Sequence, residues 1–460
     1  MIGSGTKMNS RTERRSLVAL IALFACAYAL YGLFRHWHFG SNAYDLGIFD
    51  QAIWRLSRFE TPASSITGLS NILGDHFYPI LALFTPLYWV APAPETLIIA
   101  QAVLLALSMA PVFLFARTRL TGGQALALSA AYALFWGLQR TAAFDVHEMA
   151  FAPLLIGLLI LGMDQRRWRL FWTFALLLVF VKEDLIPLLS AVGLYLIVAG
   201  ERRRGAVLLV STLAAFVLVV QVVIPAFNDA GVVRYSGAYG RLLEQPWRLP
   251  AALVTPPEKL RTVFMWLAPF AFLPLGSPLG LLIVPLACER FLSSNSLHWG
   301  TSFHYSAPLA PILAMAAADG LARLARRTGP GTRPRLVASF VAASVVLSAL
   351  LPGHQPLWRL FSPAHYRHTA FHDAAVRALA HVPDGASVVA QAAIVPHLSH
   401  RPAIYVLQAD APEADVVIAA STLSVWPAVS EAELRALVDA RRQRGYRVVF
   451  EERGWIVLHR

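Results

Sequence analysis

Residues 16–34 read SLVALIALFACAYALYGLF and contain no charged side chain. A helix of this length and composition can cross the hydrocarbon core of a bilayer, which is about 30 Å thick. No small-residue cleavage site follows the stretch, and basic residues precede it at Lys7, Arg11, Arg14 and Arg15. The sequence therefore predicts a retained first membrane span and a cytoplasmic N-terminal tail, residues 1–15.

The composition of the whole chain indicates many such spans. Of its 460 residues, 57% are hydrophobic and 14% are charged, whereas about a quarter of the residues in a typical soluble protein are charged. Apolar runs recur as far as Leu351, which excludes a soluble, disordered or singly anchored protein. Cys26 and Cys288 lie in separate apolar runs, so neither a disulfide framework nor a thiolate metal site is expected.

The net charge of +12 reflects membrane topology, and we expect no nucleic-acid partner. Lys and Arg cluster in short segments between apolar runs, and such segments stay in the cytoplasm. The clusters lie at 117–119, 166–169, 202–204 and 323–335. Segments on the same side must be separated by an even number of spans, and this parity predicts 11 spans in a bacterial plasma membrane.

The same parity places two large regions outside the cytoplasm. Residues 35–94 form one long first external loop, with an interfacial helix near 77–90 that is too short and too rich in proline to be a span. Residues 16–351 form the transmembrane domain. The C-terminal residues 352–460 are predicted to form an extracytoplasmic domain.

The parity also predicts a hairpin, a further external loop and a pair of spans. Residues 170–181 and 185–200 flank Lys182-Glu183-Asp184 and are predicted to form a hairpin. Its first arm rises only about 18 Å, so we expect the charged tip to lie below the outer membrane surface. An external loop is predicted at 228–262, and residues 263–290, which Gly276-Ser277-Pro278 interrupts, are predicted to form two spans.

From Pro352 the sequence has the pattern of a small soluble domain. Helices fit 368–381 and 431–444, and Ser430 with Glu433 forms a predicted capping box at the start of the second helix. The candidate strands are 387–391, 404–407, 415–420, 446–451 and 455–459. The predicted fold class is an all-α polytopic membrane bundle of about 11 transmembrane helices with a small extracytoplasmic α/β domain.

Ionisable side chains concentrate in segments that the topology places on the outer side. A charged residue at membrane depth costs about 2.5–3.5 kcal/mol on insertion scales, so charges retained there indicate function. Five separate segments carry such groups: 44–50, 75–76, 145–148, 182–184 and 298–304. Their placement on one side predicts a functional site at the outer membrane surface.

Asp45 is the first candidate catalytic residue. It precedes an amphipathic stretch, 46–56, so its carboxylate either caps that helix or acts as a general base or cation ligand. Asp50 is the second candidate. On a continuous helix the two side chains point about 140° apart, so they can share a site only if Asp45 precedes the helix.

His147 and Glu148, preceded by Asp145, form a second candidate catalytic group. A carboxylate beside an imidazole suits acid–base catalysis or phosphate binding, and a solvated loop is the alternative. The spacing differs from that of a zinc-binding helix, which places two His at i and i+4.

The candidate substrate-binding residues lie at the hairpin tip and near the penultimate span. Lys182, Glu183 and Asp184 either neutralise one another or present Lys182 to a phosphate. His304 and Tyr305 either bind phosphate or belong to the interfacial aromatic belt. The sequence contains no Walker loop, dinucleotide fingerprint or nucleophile elbow, so ATP-driven chemistry within this chain is not expected.

Several motifs together resemble a family of bacterial multi-pass membrane proteins defined by domain of unknown function 2079. The resemblance covers nearly the whole chain. The motifs that carry it are Tyr44-Asp45-Leu46-Gly47-Ile48-Phe49-Asp50-Gln51, Gly74-Asp75-His76-Phe77, Phe144-Asp145-Val146-His147-Glu148, Val181-Lys182-Glu183-Asp184, Pro256-Pro257-Glu258-Lys259-Leu260, Phe303-His304-Tyr305-Ser306-Ala307-Pro308 and Pro396-His397-Leu398-Ser399. That family in turn is similar to the GT-C superfamily of membrane glycosyltransferases.

The resemblance implies a GT-C-like bundle that transfers a sugar from a polyprenyl-phosphate donor to a cell-envelope acceptor on the outer face. In such enzymes an acid of the first external loop acts as base or binds the metal or acceptor, a role that falls here on Asp45. In the same enzymes a second external loop holds another acid, and that position falls here on Glu148 or His147. His76 joins the substrate-binding candidates. The adjacent Asp-Glu pair of several GT-C members is absent. A divalent cation is a candidate cofactor.

Two other functions stay open at this point. A non-catalytic transporter or flippase of lipid-linked saccharides would use the same outer charges for binding, and an envelope assembly partner would use the C-terminal domain. A transporter needs polar residues along the inner halves of its spans, and few occur there, Gln221 and Asp319 among them. That pattern favours a one-sided enzyme.

Cysteine labelling tests the predicted topology. After Cys26 and Cys288 are replaced by serine, single cysteines at Thr67 and Asp410 should react with a membrane-impermeant maleimide in intact cells, because both positions are predicted to lie outside. A cysteine at Gly329, in a predicted cytoplasmic segment, is the matched control and should react only after lysis. Protection of both outer positions would contradict the topology.

Overall fold

The computed structural model describes residues 11–234, 237 and 245–460. The first ten residues of the predicted cytoplasmic tail lie outside the described residues. So does part of the external loop predicted at 228–262. The described chain is mostly helical, with one small sheet near the C-terminus.

The α-helices are connected by many short 3₁₀ turns. In chain order they are α1 (Arg11–Trp37), α2 (Ile48–Ser57), α3 (Thr85–Tyr88), α4 (Pro94–Leu107), α5 (Met109–Arg117), α6 (Gly122–Leu134), α7 (Trp136–Ala142), α8 (Ala152–Asp164), α9 (Trp168–Val179), α10 (Ile186–Val198), α11 (Arg202–Leu218), α12 (Ile224–Phe227), α13 (Leu249–Val254), α14 (Glu258–Leu267), α15 (Ile283–Leu292), α16 (Leu309–Arg326), α17 (Arg333–Leu350), α18 (Ala370–Ala380) and α19 (Glu431–Gln443).

Five helical stretches of the described residues are long and apolar enough to cross a membrane. They are Arg11–Trp37, Pro94–Arg117, Arg202–Phe227, His304–Arg326 and Arg333–Leu350. Other segments predicted as spans form shorter helices. Helices α8 and α10, for example, have 13 residues each and rise only about 20 Å. The total of 11 spans therefore stays a prediction.

The charged hairpin tip lies where the sequence predicts it, between α9 and α10. Lys182 and Glu183 are both buried, and a 3₁₀ turn, Glu183–Leu185, leads into α10.

The stretch predicted as two spans at 263–290 is instead a chain of short segments. Helix α14 is followed by 3₁₀ turns at Ala268–Phe270, Leu273–Gly276 and Pro278–Leu282, and then by α15. Prolines within these turns lack the N–H that a continuous helix needs. The turns pack closely on α16 at Gly320, where a Cβ atom would lie 2.1 Å from the Leu273 carbonyl oxygen.

The five predicted strands are confirmed to within one residue at each end. They are β1 (Val388–Ala390), β2 (Ile404–Val406), β3 (Val416–Ala420), β4 (Arg447–Glu452) and β5 (Trp455–His459). The sheet order is β2-β1-β3-β5-β4. Strand β1 is parallel to β2 and β3, and β5 is antiparallel to β3 and β4.

Half of the predicted capping box forms at the start of α19. The Ser430 hydroxyl accepts a hydrogen bond from the Glu433 N–H over 3.2 Å. The Glu433 carboxylate accepts from the N–H of Val429, over 2.8 Å, and not from that of Ser430.

The C-terminal domain docks onto the helix that follows Asp45. The Ser65 hydroxyl bonds both backbone groups of Ile404, at 2.8 and 3.0 Å, on the outer edge of β2. Gln51 of α2 donates to the Arg401 carbonyl over 2.9 Å, and Arg55 donates to the Pro402 carbonyl over 2.9 Å. The first loop thus covers an otherwise open sheet edge, and the domain in turn fixes α2.

Candidate active site

Asp45 lies in a strained turn between α1 and α2. Its backbone adopts φ 93° and ψ −90°, a region that residues other than glycine rarely occupy. The Gly47 N–H donates to the Asn42 carbonyl over 3.2 Å, and the Asn42 side chain accepts from the Tyr44 N–H over 3.2 Å. Such strain persists only where surrounding contacts impose it, and it is frequent at functional sites.

The helix-cap interpretation of Asp45 is wrong. Gly47 occupies the cap position of α2, and no side chain caps this helix. Among the described residues, the nearest ionisable partner of the Asp45 carboxylate is His147, whose Nε2 is 3.9 Å from Oδ1. The Asp45 side chain is 29% exposed. Burial raises its pKa to about 6, against the opposing effect of His147.

Glu148 is a completely buried carboxylate between an imidazole and an ammonium group. Its Oε2 is 2.9 Å from His147 Nδ1, and its Oε1 is 3.5 Å from Lys182 Nζ. Burial alone would raise the pKa of Glu148, but His147 and Lys182 outweigh burial and lower the pKa to about 2. Lys182 also lies 3.4 Å from Asp184. Glu148 is therefore ionised at neutral pH.

His304 and Tyr305 join this cluster from the start of α16. The His304 ring stacks on the His147 ring, with centroids 3.8 Å apart and planes at 29°. Both ring nitrogens of buried His304 lack a hydrogen-bond partner among the described residues. The Tyr305 ring centroid is 4.4 Å from that of His304. The structure thus brings two imidazoles, one phenol and Lys182 to the same place.

His76 and Glu183 connect the first loop to the hairpin tip. His76 Nδ1 lies 2.5 Å from Glu183 Oε1, and the N–H of Phe77 donates to Glu183 Oε2 over 2.8 Å. Both carboxylate oxygens of Glu183 therefore have partners within the protein. This arrangement favours a structural contribution for Glu183 over direct substrate binding.

Asp50, predicted as catalytic, does not share the Asp45 site. Its buried carboxylate accepts hydrogen bonds from the hydroxyls of Tyr88 and Ser399 and lies 3.0 Å from His400 Nε2. Asp45 does precede α2, as a shared site requires, but Asp50 lies within α2 and faces the C-terminal domain. Asp50 therefore acts as an anchor for that domain.

The structure also shows a residue that the sequence analysis missed. Arg35, at the end of α1, contacts Asp145 with Nη1 and Oδ1 2.6 Å apart. The Asn42 N–H donates to the other Asp145 oxygen over 2.8 Å. These contacts tie the turn that holds Asp45 to the segment that holds His147. The available signal was a basic residue at the predicted outer end of a span.

The side chains of the site do not converge as metal ligands. Among residues 11–234 and 245–460, no group of three or more His, Cys, Asp and Glu is placed to hold a metal ion. The two ring nitrogens of His147 face different carboxylates, Glu148 and Asp45, so the three groups do not point at a common centre. A divalent cation does not fit this arrangement.

Removing one charge from the buried cluster should destabilise the protein. Lys182→Met leaves Glu148 and Asp184 short of a positive charge, and breaking a buried ion pair costs about 3 kcal/mol. We expect a lower melting temperature in detergent. The double variant Lys182→Met/Glu148→Gln should recover most of the lost melting temperature, because the buried carboxylate of Glu148 is removed together with the ammonium group. A Lys182→Met melting curve that matches wild type would show that the hairpin tip is hydrated.

Known structures with a similar fold support the predicted architecture. ArnT from Cupriavidus metallidurans bound to undecaprenyl phosphate matches with a TM-score of 0.54 at 15% sequence identity, covering 96% of this chain and 97% of ArnT. The apo state of the same protein gives a TM-score of 0.51 at 15% identity, covering 97% and 98%. The fold of this chain is therefore similar to that of ArnT.

Sequence comparison gives the family directly. No curated protein matches the sequence. The family model described as "Predicted membrane protein (DUF2079)" matches residues 35–457, which includes the candidate site and the C-terminal sheet. The chain therefore belongs to the DUF2079 family of predicted membrane proteins.

Proposed function

We propose that this protein is a GT-C-type glycosyltransferase that moves a sugar from a polyprenyl-phosphate donor to a hydroxyl group of a cell-envelope acceptor. The observation that carries the proposal is the partly exposed Asp45 carboxylate, which lies in a strained turn beside His147, Glu148 and Lys182. The ArnT structure that shares this fold holds undecaprenyl phosphate, which supports a polyprenyl-phosphate carrier here.

Asp45 has the properties of a general base. Among the described residues its carboxylate accepts no backbone N–H, so its lone pairs are free for an acceptor hydroxyl. A pKa of about 6 leaves it ionised at neutral pH and still basic enough to take a proton. His147 lies between Asp45 and ionised Glu148, with one ring nitrogen facing each carboxylate.

Lys182 and His304 suit the departing phosphate. In a single displacement the acceptor oxygen bonds to the anomeric carbon while the bond from that carbon to the phosphate oxygen breaks. The electron pair of that bond leaves with the lipid phosphate, and the acceptor proton moves to Asp45. The Lys182 ammonium, together with a ring N–H of His304, stabilises the charge on the phosphate. The product has the inverted anomeric configuration.

Contacts at the predicted cytoplasmic side favour an enzyme over a transporter. Arg119 of the α5–α6 connection lies 2.6 Å from Asp164 at the end of α8 and 3.3 Å from Asp319 of α16. Asp319 also accepts from the hydroxyl of Ser277, over 2.7 Å. This network joins four segments at the predicted cytoplasmic side, and alternating access would have to break it.

Substitution of Asp45 tests the proposed role. Asp45→Asn keeps the size of the side chain but cannot take a proton, so transfer should fall by about 10²-fold or more, the scale of general-base catalysis. The measurement is mass spectrometry of the glycolipids and envelope glycans of a deletion strain that carries the variant at wild-type membrane abundance. Asp229→Asn, an exposed acid of another loop, is the matched control and should restore the glycoconjugates fully.

Full rescue by Asp45→Asn would remove Asp45 from catalysis. If the deletion strain lacks a glycoconjugate and Asp45→Asn restores it, the flippase or assembly-partner function becomes the preferred hypothesis.

The dependence of the rate on pH gives an independent test. Asp45 must be deprotonated to act as a base, so the transfer rate should rise with pH through about 6 and level off above it, falling about tenfold per pH unit below. Glu148, with a pKa of about 2, stays ionised throughout and should add no inflection. Initial rates in isolated membranes measure the profile, and a rate that is flat or falls across this range would contradict the assignment.

A further inference from the structure

An exposed tryptophan of the C-terminal domain lies next to the turn that holds Asp45. The ring centroid of Trp426 is 5.0 Å from that of Tyr44, with the planes at 77°. Tyr44 immediately precedes Asp45 in the chain. Trp426 is 47% exposed, so much of its indole surface is open to a ligand.

The backbone around Trp426 is fixed by a buried glutamine. Gln391, which follows β1, donates to the Ser424 carbonyl over 2.7 Å and accepts from the Ala420 N–H over 2.8 Å. A further turn is closed where the N–H of Ala428 donates to the Val425 carbonyl over 3.0 Å. The loop between β3 and α19 is therefore held in place, and little conformational entropy is lost when a ligand binds the indole.

Charged groups of both signs lie near Tyr44, one ring of the aromatic pair. Burial raises the pKa of the Tyr44 hydroxyl, nearby Asp410 raises it further, and Arg234 lowers it. Arg234 lies 3.3 Å from Asp75, and both Arg234 and Asp410 are exposed. The surroundings of Tyr44 therefore combine flat apolar rings with a carboxylate and a guanidinium, and the four side chains come from four separate places in the chain.

We propose that Trp426 and Tyr44, with Arg234 and Asp410, bind a saccharide that forms part of the acceptor. A sugar ring has an apolar C–H face that an indole can cover and a rim of hydroxyl groups that charged side chains can bind. A lipid chain would require a continuous apolar surface, which the flanking charges interrupt. The inference rests on the proposed function, because the acceptor hydroxyl must reach Asp45, one residue from Tyr44.

Binding measurements on the full-length protein in detergent test this proposal. The probe is the oligosaccharide fraction that mild acid releases from the envelope of the deletion strain. Saturation-transfer NMR measures its binding to the protein. Trp426→Ala should weaken binding by about tenfold, as expected for one aromatic contact, and Trp426→Phe should retain most of it. Trp358→Ala removes a tryptophan of similar exposure, 43%, and should bind like wild type.

The outcomes separate this proposal from the catalytic one. Asp45→Asn should bind the saccharides like wild type while failing to transfer sugar. Wild-type affinity in Trp426→Ala, or no binding by the wild-type protein, would overturn the saccharide site whether or not transfer is observed. Normal transfer by Asp45→Asn together with weakened binding in Trp426→Ala would leave the saccharide site standing and overturn the base.

Discussion

The site depends on the pairing of one buried carboxylate. Glu148 is completely excluded from solvent, and an ionised group in that position costs several kcal/mol unless cations compensate it. Lys182 supplies the positive charge from the hairpin tip before α10, and the His147 ring contacts the carboxylate from the turn before α8. Stacking of His304 on His147 adds the start of α16. Asp45 comes to lie 3.9 Å from His147 as a consequence of this assembly.

A second set of contacts places Asp45 from the other side. The buried Asp50 carboxylate holds Ser399 and His400 of the C-terminal domain, while Arg35 and Asp145 hold the end of α1. The strained turn between these anchors cannot relax without breaking one of them. The C-terminal domain is thus part of the support for the proposed base, which gives a physical reason for its contact with α2.

Local patterns predicted the C-terminal sheet and the charged hairpin tip, because strand alternation and helix length are properties of short segments. Roles that depend on distant partners could not be derived in this way. Asp50 was a catalytic candidate because its partner Ser399 lies 349 residues away and could not be foreseen. For Asp45 the sequence allowed a helix cap or a base, and the cap was excluded only when Gly47 proved to occupy that position. The family resemblance, rather than residue spacing, predicted the GT-C-like fold.

The most direct test of the central claim is an experimental structure of the wild-type protein with a bound non-hydrolysable polyprenyl-phosphate sugar. The account predicts that the phosphate contacts Lys182 and His304, and that the anomeric carbon faces Asp45 with room for an acceptor oxygen between them. A donor whose phosphate binds elsewhere, with its anomeric carbon turned away from Asp45, would contradict it.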